Sequence, residues 1–204
     1  QAMVNFLSLL GWSLDGDTTI ISIDQLVDNF DPSRISASGA IFDIDKLNWM
    51  NGDYLKTLPI ETIMQYAQPV FQSKDWDLSN EKKFKAVVEN ARKRSSTMLE
   101  MIDHSLPFYT ELQYSDEESS LLETDSAQRV LSLFTEKLSG KAHWKDEGLK
   151  MLVNETGETT GVKGKDLYGP LRLALFGEAH GPDVPQLIGI LGIEEAINRM
   201  KRHV

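Results

Sequence analysis

One group of residues combines cations and hydroxyls in a way that suits recognition of a charged partner. Arg92-Lys93-Arg94 is followed directly by Ser95-Ser96-Thr97. Guanidinium, ammonium and hydroxyl groups donate hydrogen bonds to phosphate oxygens and to the edges of bases. Three charges on a helix more often form a solvated basic face, and the residues by themselves favour that ordinary role.

A second group surrounds Arg172. Lys163 and Lys165 precede a predicted helix in which Arg172 stands within the apolar run Leu171-Arg172-Leu173-Ala174-Leu175, and the turn His180-Gly181-Pro182-Asp183 follows. An arginine beside an apolar face either extends its guanidinium to water or meets a partner. This placement makes Arg172 a stronger candidate for binding than the basic run is.

The sequence lacks the usual catalytic constellations. Cysteine is absent, and the glycines near Gly161 and Gly164 are not followed by the Lys-Ser/Thr pair that completes a phosphate-binding loop. Acid pairs such as Asp43/Asp45 and Glu194/Glu195 lie at predicted helix starts, where they complement the helix dipole. We therefore predict no catalytic residues and no metal site, which also fits the scattered positions of the histidines, His104, His143, His180 and His203.

Composition indicates a globular protein of one large or two small domains. The 204 residues are 41% hydrophobic and 25% charged, close to the average for folded proteins. The longest apolar stretches are far below the ~20 residues that span a membrane. The absence of cysteine fits a reducing, cytoplasmic setting. The N-terminus has no signal-peptide pattern and is interpreted as a boundary within a larger protein.

The net charge of -10 argues against a phosphate-rich partner, but the charge is unevenly distributed. Residues 81–104 hold six basic and four acidic side chains, whereas residues 114–126 hold five acids and no base. We expect the acidic segment to face away from any phosphate backbone.

Hydrophobic spacing and capping residues predict helices along nearly the whole chain. We expect Gly11 to end the first helix in a left-handed conformation, and Asn51-Gly52 to interrupt the helix that Asp43 caps. Thr18–Ile21 is a candidate brief strand or extended segment, and Asn154–Gly161 a polar loop. The other predicted helices are a helix through Leu26 and Phe30, one from Pro59 through Ala67, one helix or two over Glu81–His104, and Thr124–Leu138, Ala142–Val153, Lys165–Phe176, Val184–Leu191 and Ile193–His203.

The predicted fold class is predominantly α, with two helical bundles in series. The polar segment 74–80 marks the expected boundary between residues 1–75 and 76–204. The second region is expected to be a single helical region or two sub-bundles, 76–140 and 141–204.

Three segments in order resemble the bacterial-type glutamyl-tRNA synthetases, which are class I aminoacyl-tRNA synthetases. The first is the run from Met3 to Trp12, and the second is Ser33–Ser36 with Gly39–Asp43 and Lys46–Gly52. The third runs from Lys163 through Pro170-Leu171-Arg172 to His180-Gly181-Pro182. The resemblance implies a helical stem-contact domain over 1–75, followed by an all-α anticodon-binding region over 76–204.

The resemblance also implies which residues bind tRNA. Lys46 and Trp49 resemble residues that approach the D-stem side, although Trp49 equally suits a core position, and Ser36 lies in the preceding loop. Arg94 resembles the arginine that recognises the third anticodon base. Arg172 resembles the arginine that engages the other bases, which would pack against the turn formed by Gly181, Pro182 and Val184.

The family's chemistry is implied for a whole enzyme and not for this sequence. Such an enzyme ligates glutamate to tRNA(Glu) with ATP and magnesium, and neither of its two class I signature motifs occurs here. The resemblance therefore implies a cytoplasmic, monomeric tRNA-binding portion that is inactive alone and needs no cofactor. The alternative is a helical protein-interaction scaffold without RNA binding, which would display an exposed apolar stripe.

Overall fold

The structure, a computed structural model, describes residues 1–36, 39, 41–140 and 143–204. Contacts within these ranges separate the chain into two units, Gln1–Ser105 and Leu106–Val204. Both units consist of helices, and the described ranges contain no β-strand, so the predicted predominantly α class is confirmed. None of the helices in these ranges has the length and apolar character that crossing a membrane requires.

The first unit is built around α3, which packs against α1, and around α4, α5 and α6, which pack against one another. Phe6 of α1 and Met50 of α3 are buried in one core cluster, while Trp12 and Ile21 belong to another. A short 3-10 helix, Pro32–Arg34, follows α2. The α-helices of this unit are α1 Ala2–Ser8, α2 Ile23–Asn29, α3 Ile44–Thr57, α4 Ile60–Gln72, α5 Glu81–Ala91 and α6 Met98–Ser105.

Helix α3 runs without a break through Asn51-Gly52, so the predicted interruption is wrong. Met50 and Leu55 are buried on either side of the pair, and this burial holds the helix together. A Cβ on Gly52 would lie 3.3 Å from Cα of Ser96. Gly52 therefore lets the backbone of Ser96 lie close to α3, and it does not end the helix.

The segment between α1 and α2 also differs from the prediction. Helix α1 ends at Ser8, and Gly11 is absent from the residues with positive φ. Of the two forms predicted for Thr18–Ile21, a brief strand or an extended segment, the strand does not form, because the Ile21 amide donates to the side chain of buried Asn5 (2.9 Å) instead of to a neighbouring strand. The hydroxyl of Tyr54 lies within hydrogen-bond distance of the same Asn5 oxygen and of the Ile21 carbonyl.

The second unit has α8 and α10 at its centre. Helix α8 packs against α7, α9, α10 and α12, and α10 also contacts α7, α11 and α12. Phe108, in the 3-10 helix Leu106–Phe108, packs its ring 5.2 Å from that of Phe176. The α-helices of this unit are α7 Asp116–Leu122, α8 Asp125–Ser139, α9 Asp146–Thr160, α10 Lys165–Phe176, α11 Val184–Leu191 and α12 Ile193–Lys201.

The predicted loop over Asn154–Gly161 is wrong, because helix α9 continues through most of this segment. The predicted helix start at Ala142 lies outside the described residues; α9 begins at Asp146 and continues to Thr160. Thr156 donates its hydroxyl hydrogen to the Leu152 carbonyl, one turn back, so the polar composition is accommodated within the helix. Gly161, with φ of 72°, then ends it in the left-handed conformation.

The predicted domain boundary near residue 75 lies between α4 and α5, which pack against each other within the first unit. The assignment of 1–75 and 76–204 to separate functional domains, and the further boundary near residue 140, stay predictions.

Two helical glycines of the second unit should respond oppositely to alanine. A Cβ at Gly157 would lie 3.0 Å from the Val162 carbonyl oxygen and 2.8 Å from Leu167, whereas a Cβ at Gly189 meets nothing within 4 Å. We expect Gly157→Ala to lower the free energy of unfolding by about 1–3 kcal/mol. Gly189→Ala should raise it by about 0.5–1 kcal/mol. Urea unfolding followed by circular dichroism measures both, and equal shifts of one sign would contradict the packing described.

Candidate nucleic-acid interface

The first candidate surface lies on α3. Lys46 and Trp49 stand three residues apart, which places them on neighbouring positions of one helix face. Both are exposed, and 55% of Trp49 is accessible to solvent. Trp49 is therefore not a core residue, and its ring is available for stacking on a partner. Asp43 caps the start of this helix by accepting from the Lys46 amide (3.0 Å).

Ser36 lies in the loop that follows the 3-10 helix of the first unit. Its backbone amide donates to the Gly11 carbonyl (2.7 Å), and the residue is exposed. Arg34 donates to the Ser13 carbonyl (2.8 Å) and stacks over the ring of Trp12. These contacts hold the loop next to the segment after α1.

Arg94 occupies the turn between α5 and α6, since the segment predicted as one helix or two forms two. Its guanidinium lies 3.5 Å from the Asn90 side-chain oxygen, and its carbonyl lies 3.2 Å from Nε2 of His104. The Ser96 amide donates to the Glu100 carboxylate (2.7 Å). Arg94 is half-buried, so its side chain is held by its surroundings while part of it reaches solvent.

The three cations of the basic run have different surroundings. Arg92 donates to the Leu58 carbonyl (2.8 Å) and pairs with Glu89 (3.0 Å). Lys93 is exposed. The run is thus not a uniform basic face: Arg92 is engaged in structural contacts, and Lys93 and Arg94 present charge at the turn.

Arg172 lies on α10 and binds the turn that precedes α11. Its Nε donates to the Pro182 carbonyl (2.9 Å), and a second guanidinium nitrogen lies 3.8 Å from the Asp183 carboxylate. The guanidinium also stacks over the ring of Tyr168, 5.3 Å from the ring centre. Arg172 therefore neither extends freely to water nor lies in the core; it stabilises the turn that carries the other candidate residues.

The turn presents backbone more than side chains. Gly181 is exposed and has a φ of 137°, a conformation that favours glycine. Pro182 and Val184 are buried. Beside the turn lies a cavity of about 220 Å³. It is lined by Lys150, Val153, Asn154, Tyr168, Asp183, Val184 and Pro185.

The predicted binding residues thus fall into groups within each unit. Lys46 and Trp49 share a face of α3, and Ser36 and Arg94 lie at two other places in the first unit. Arg172, Gly181, Pro182 and Val184 come together at one turn in the second. Sequence reasoning missed Tyr168, although its position four residues before Arg172 on a helix was a usable signal. It also missed Asn90, which precedes Arg94 by the same spacing.

Among the described residues, no group of three or more His, Asp or Glu side chains could hold a metal ion. His104 and His203 make separate contacts, His104 with the Arg94 carbonyl and His203 with the Tyr114 hydroxyl. Burial lowers the pKa of His203, and the charge of Arg202 adds to this effect.

A family model for an anticodon-binding domain matches residues 61–204. The chain belongs to this family. Its curated relatives include the glutamate–tRNA ligase of Carboxydothermus hydrogenoformans, 37% identical over 206 residues, and that of Bacillus subtilis, 33% identical over 207 residues. Each alignment covers 98% of this chain and 43% of the relative. The chain thus spans less than half the length of these ligases.

The solved structures that resemble this chain are of the same kind of enzyme as the curated relatives. A glutamate–tRNA ligase from Elizabethkingia meningosepticum, crystallised in complex with its amino acid, superposes with a TM-score of 0.88 at 27% identity. A glutamate–tRNA synthetase from Elizabethkingia anophelis gives a TM-score of 0.84 at 28% identity. Each match covers 99% of this chain and 40% of the solved chain. The resemblance to the C-terminal region of glutamyl-tRNA synthetases, seen in the sequence, is confirmed.

The Arg172 contact should matter for stability because it satisfies a backbone carbonyl. Arg172→Lys keeps the charge but removes the Nε donor to Pro182. We expect it to lower the free energy of unfolding by about 0.5–1.5 kcal/mol in chemical denaturation. Arg202→Lys is the control, because Arg202 is exposed and its carboxylate partner Glu111 is 3.9 Å away. Equal effects of the two variants would mean that the Arg172 contact stabilises nothing.

Proposed function

We propose that this chain is the tRNA-binding part of a glutamate–tRNA ligase, and that it contacts the D-stem side of tRNA(Glu) and reads its anticodon. The proposed tRNA contacts are Ser36, Lys46 and Trp49 on the stem side and Arg94, Arg172 and Gly181 at the anticodon. Pro182 and Val184, which are buried, are proposed to shape the anticodon-binding turn from within. Ligation of glutamate with ATP and magnesium is assigned to the remaining length of such a ligase. The proposed protein is a cytoplasmic monomer, and this chain alone is inactive.

The arrangement around Arg172 carries the proposal. Single-stranded RNA is usually recognised by bases that leave their stack and pack on aromatic rings or guanidinium planes. Tyr168 and Arg172 supply both kinds of surface in contact with each other. The adjoining cavity has exposed Lys150 and Asn154 on its rim, which suit a phosphate and a base edge respectively. Pro182 and Val184 support this surface from within, and Gly181 offers its backbone.

Arg94 supports the proposal in the first unit. A guanidinium offers two parallel donors to a base edge, and the contacts to Asn90 and His104 restrict the conformations of this turn. Asp116, Glu117 and Glu118 of the acidic segment fill the first turn of α7, where they complement the helix dipole.

An exposed apolar stripe on α1 favours the second candidate function, a protein-interaction scaffold. Met3, Val4 and Leu7 are each about half exposed. A scaffold would use this stripe and would not bind tRNA. The titrations below separate the two candidates directly.

Removing either proposed anticodon arginine should weaken binding and relax base preference. We expect Arg94→Ala and Arg172→Ala each to cost about 1–3 kcal/mol with tRNA(Glu) and much less with an anticodon-swapped tRNA. Fluorescence titration at low and moderate salt measures both affinities. Lys93→Ala and Arg129→Ala are matched controls, because each removes an exposed charge in the same unit as one of the arginines. These control variants should weaken the binding of both tRNAs to the same extent and reduce the salt dependence of binding.

If the parent chain binds neither tRNA at low salt, the proposed function fails and the scaffold is favoured. If it binds and both arginine variants keep its preference, the anticodon assignment alone fails.

Trp49 should contribute to affinity without contributing to anticodon preference. Because its ring is exposed, Trp49→Leu should leave the free energy of unfolding nearly unchanged. Base or sugar stacking on the ring would be lost, so both tRNAs should bind more weakly by about 1–3 kcal/mol. Tyr66→Leu is the control, since Tyr66 on α4 is equally exposed at 57%. A change in the ratio of the two affinities would contradict the stem-side assignment.

A further inference from the structure

We propose that Asn51 and Gly52 of α3 are positioning residues for Arg94. In this proposal α3 fixes the turn over residues 92–97, and thereby the place of the Arg94 guanidinium. The same helix then carries the stem-side residues Lys46 and Trp49 and sets the geometry of an anticodon-side residue. This inference rests on the proposed function, because it takes Arg94 as a residue that reads a base.

Asn51 anchors the turn after Arg94. Its side-chain amide donates to the Ser96 carbonyl at 2.6 Å, a short hydrogen bond between residues 45 positions apart in the chain. The bond is partly buried, so water competes for it less than for an exposed one. The carbonyl belongs to the turn and has no helical partner of its own, which makes the Asn51 donor an anchor for the backbone two residues beyond Arg94.

Gly52 allows the turn to lie directly on α3. A Cβ at this position would be 3.2 Å from the Ser96 hydroxyl oxygen, 3.3 Å from its Cα and 3.5 Å from the Ser95 carbonyl oxygen. Two of these three atoms belong to the backbone, which cannot rotate away as a side chain can. A larger residue would therefore displace the turn over Ser95-Ser96.

The turn is anchored before Arg94 as well, and again to α3. Arg92 donates from its guanidinium to the carbonyl of Leu58 at 2.8 Å, and Leu58 is the residue that caps the end of α3. Arg94 thus lies between two anchors, Arg92 on one side and Ser96 on the other. Both anchors end on the same helix, so a shift of α3 would move the turn as a whole.

The contacts of the turn with α5 and α6 would not by themselves fix its position relative to α3. Asn90, Glu100 and His104 contact the turn from the helices that it joins. These contacts define the shape of the turn but connect it to no other element. Asn51 connects it to a third helix, on the side away from Trp49, since two residues of helix correspond to a rotation of about 200°.

The test compares discrimination, not affinity alone. Asn51→Ala removes the donor without changing the charge, so we expect the ratio of affinities for tRNA(Glu) and the anticodon-swapped tRNA to fall by about three- to tenfold. In the Arg94→Ala background the same substitution should leave the ratio unchanged, because there is no guanidinium left to position. Asn29→Ala is the matched control: its amide also donates to a backbone carbonyl, at 2.9 Å, but on α2.

Gly52→Ala provides a second variant that keeps the Asn51 donor and adds only a methyl group against the turn. Like Asn51→Ala, it should reduce the ratio of the affinities for tRNA(Glu) and the anticodon-swapped tRNA. Hydrogen exchange of the amides of residues 94–97, measured without RNA, should accelerate in Asn51→Ala and stay unchanged in Asn29→Ala.

The outcomes separate this inference from the function on which it rests. A parent chain that prefers tRNA(Glu), together with Asn51→Ala and Gly52→Ala variants that keep the same preference, overturns the positioning role and leaves anticodon reading intact. A further outcome is that Asn51→Ala reduces the ratio of the two affinities equally in the parent and in the Arg94→Ala background. That result overturns the positioning role, because the effect would not pass through Arg94. A parent chain without any preference overturns both.

Discussion

Short helices leave many backbone carbonyls without a helical partner, and their satisfaction by side-chain donors is the interaction on which both units depend. Arg92 donates to the carbonyl at the end of α3, and Asn51 to one in the turn before α6. Arg172 donates to the turn before α11. Arg199, which is nearly buried, donates to the carbonyls of Pro107 (2.7 Å) and Leu175 (2.9 Å). The connections between helices are thus held by side chains that reach across from other elements.

This constraint also suggests how an acidic chain could serve the proposed RNA-binding function with few cations. Arginines that bind carbonyls are fixed in place, and part of their guanidinium remains available when the turn lies at the surface. Arg172 has this dual position, with 19% of its side chain exposed and Tyr168 beneath it. A fixed guanidinium loses less conformational entropy when it meets a base than a mobile one does. Few cations are then needed, provided that the structure holds them where the partner arrives.

Much of the fold was predictable because local rules decided it. The capping residue Asp43 placed the start of α3, and the predicted ends of α10 and α11 agree with the structure, where Gly177 and Gly192 follow with positive φ. Predictions failed where a residue's role came from a distant segment. Asn51-Gly52 has the composition of a turn but accommodates the close approach of residues 95–96. The prediction for Asn154–Thr160 failed for a local reason instead: the segment has the composition of a loop but continues α9, because Thr156 donates its hydroxyl hydrogen to the Leu152 carbonyl within the helix.

The sequence by itself determined the helical class, most helix boundaries and the family resemblance, because periodicity, caps and motifs are properties of neighbouring residues. It also singled out Arg172 through its unusual apolar surroundings. Only the tertiary structure decided that Trp49 is exposed, that Arg92 binds a carbonyl, and that Arg172 is seated between Tyr168 and Pro182. The physical reason is that solvent exposure and hydrogen-bond partners depend on what packs against a residue, and those neighbours come from other helices.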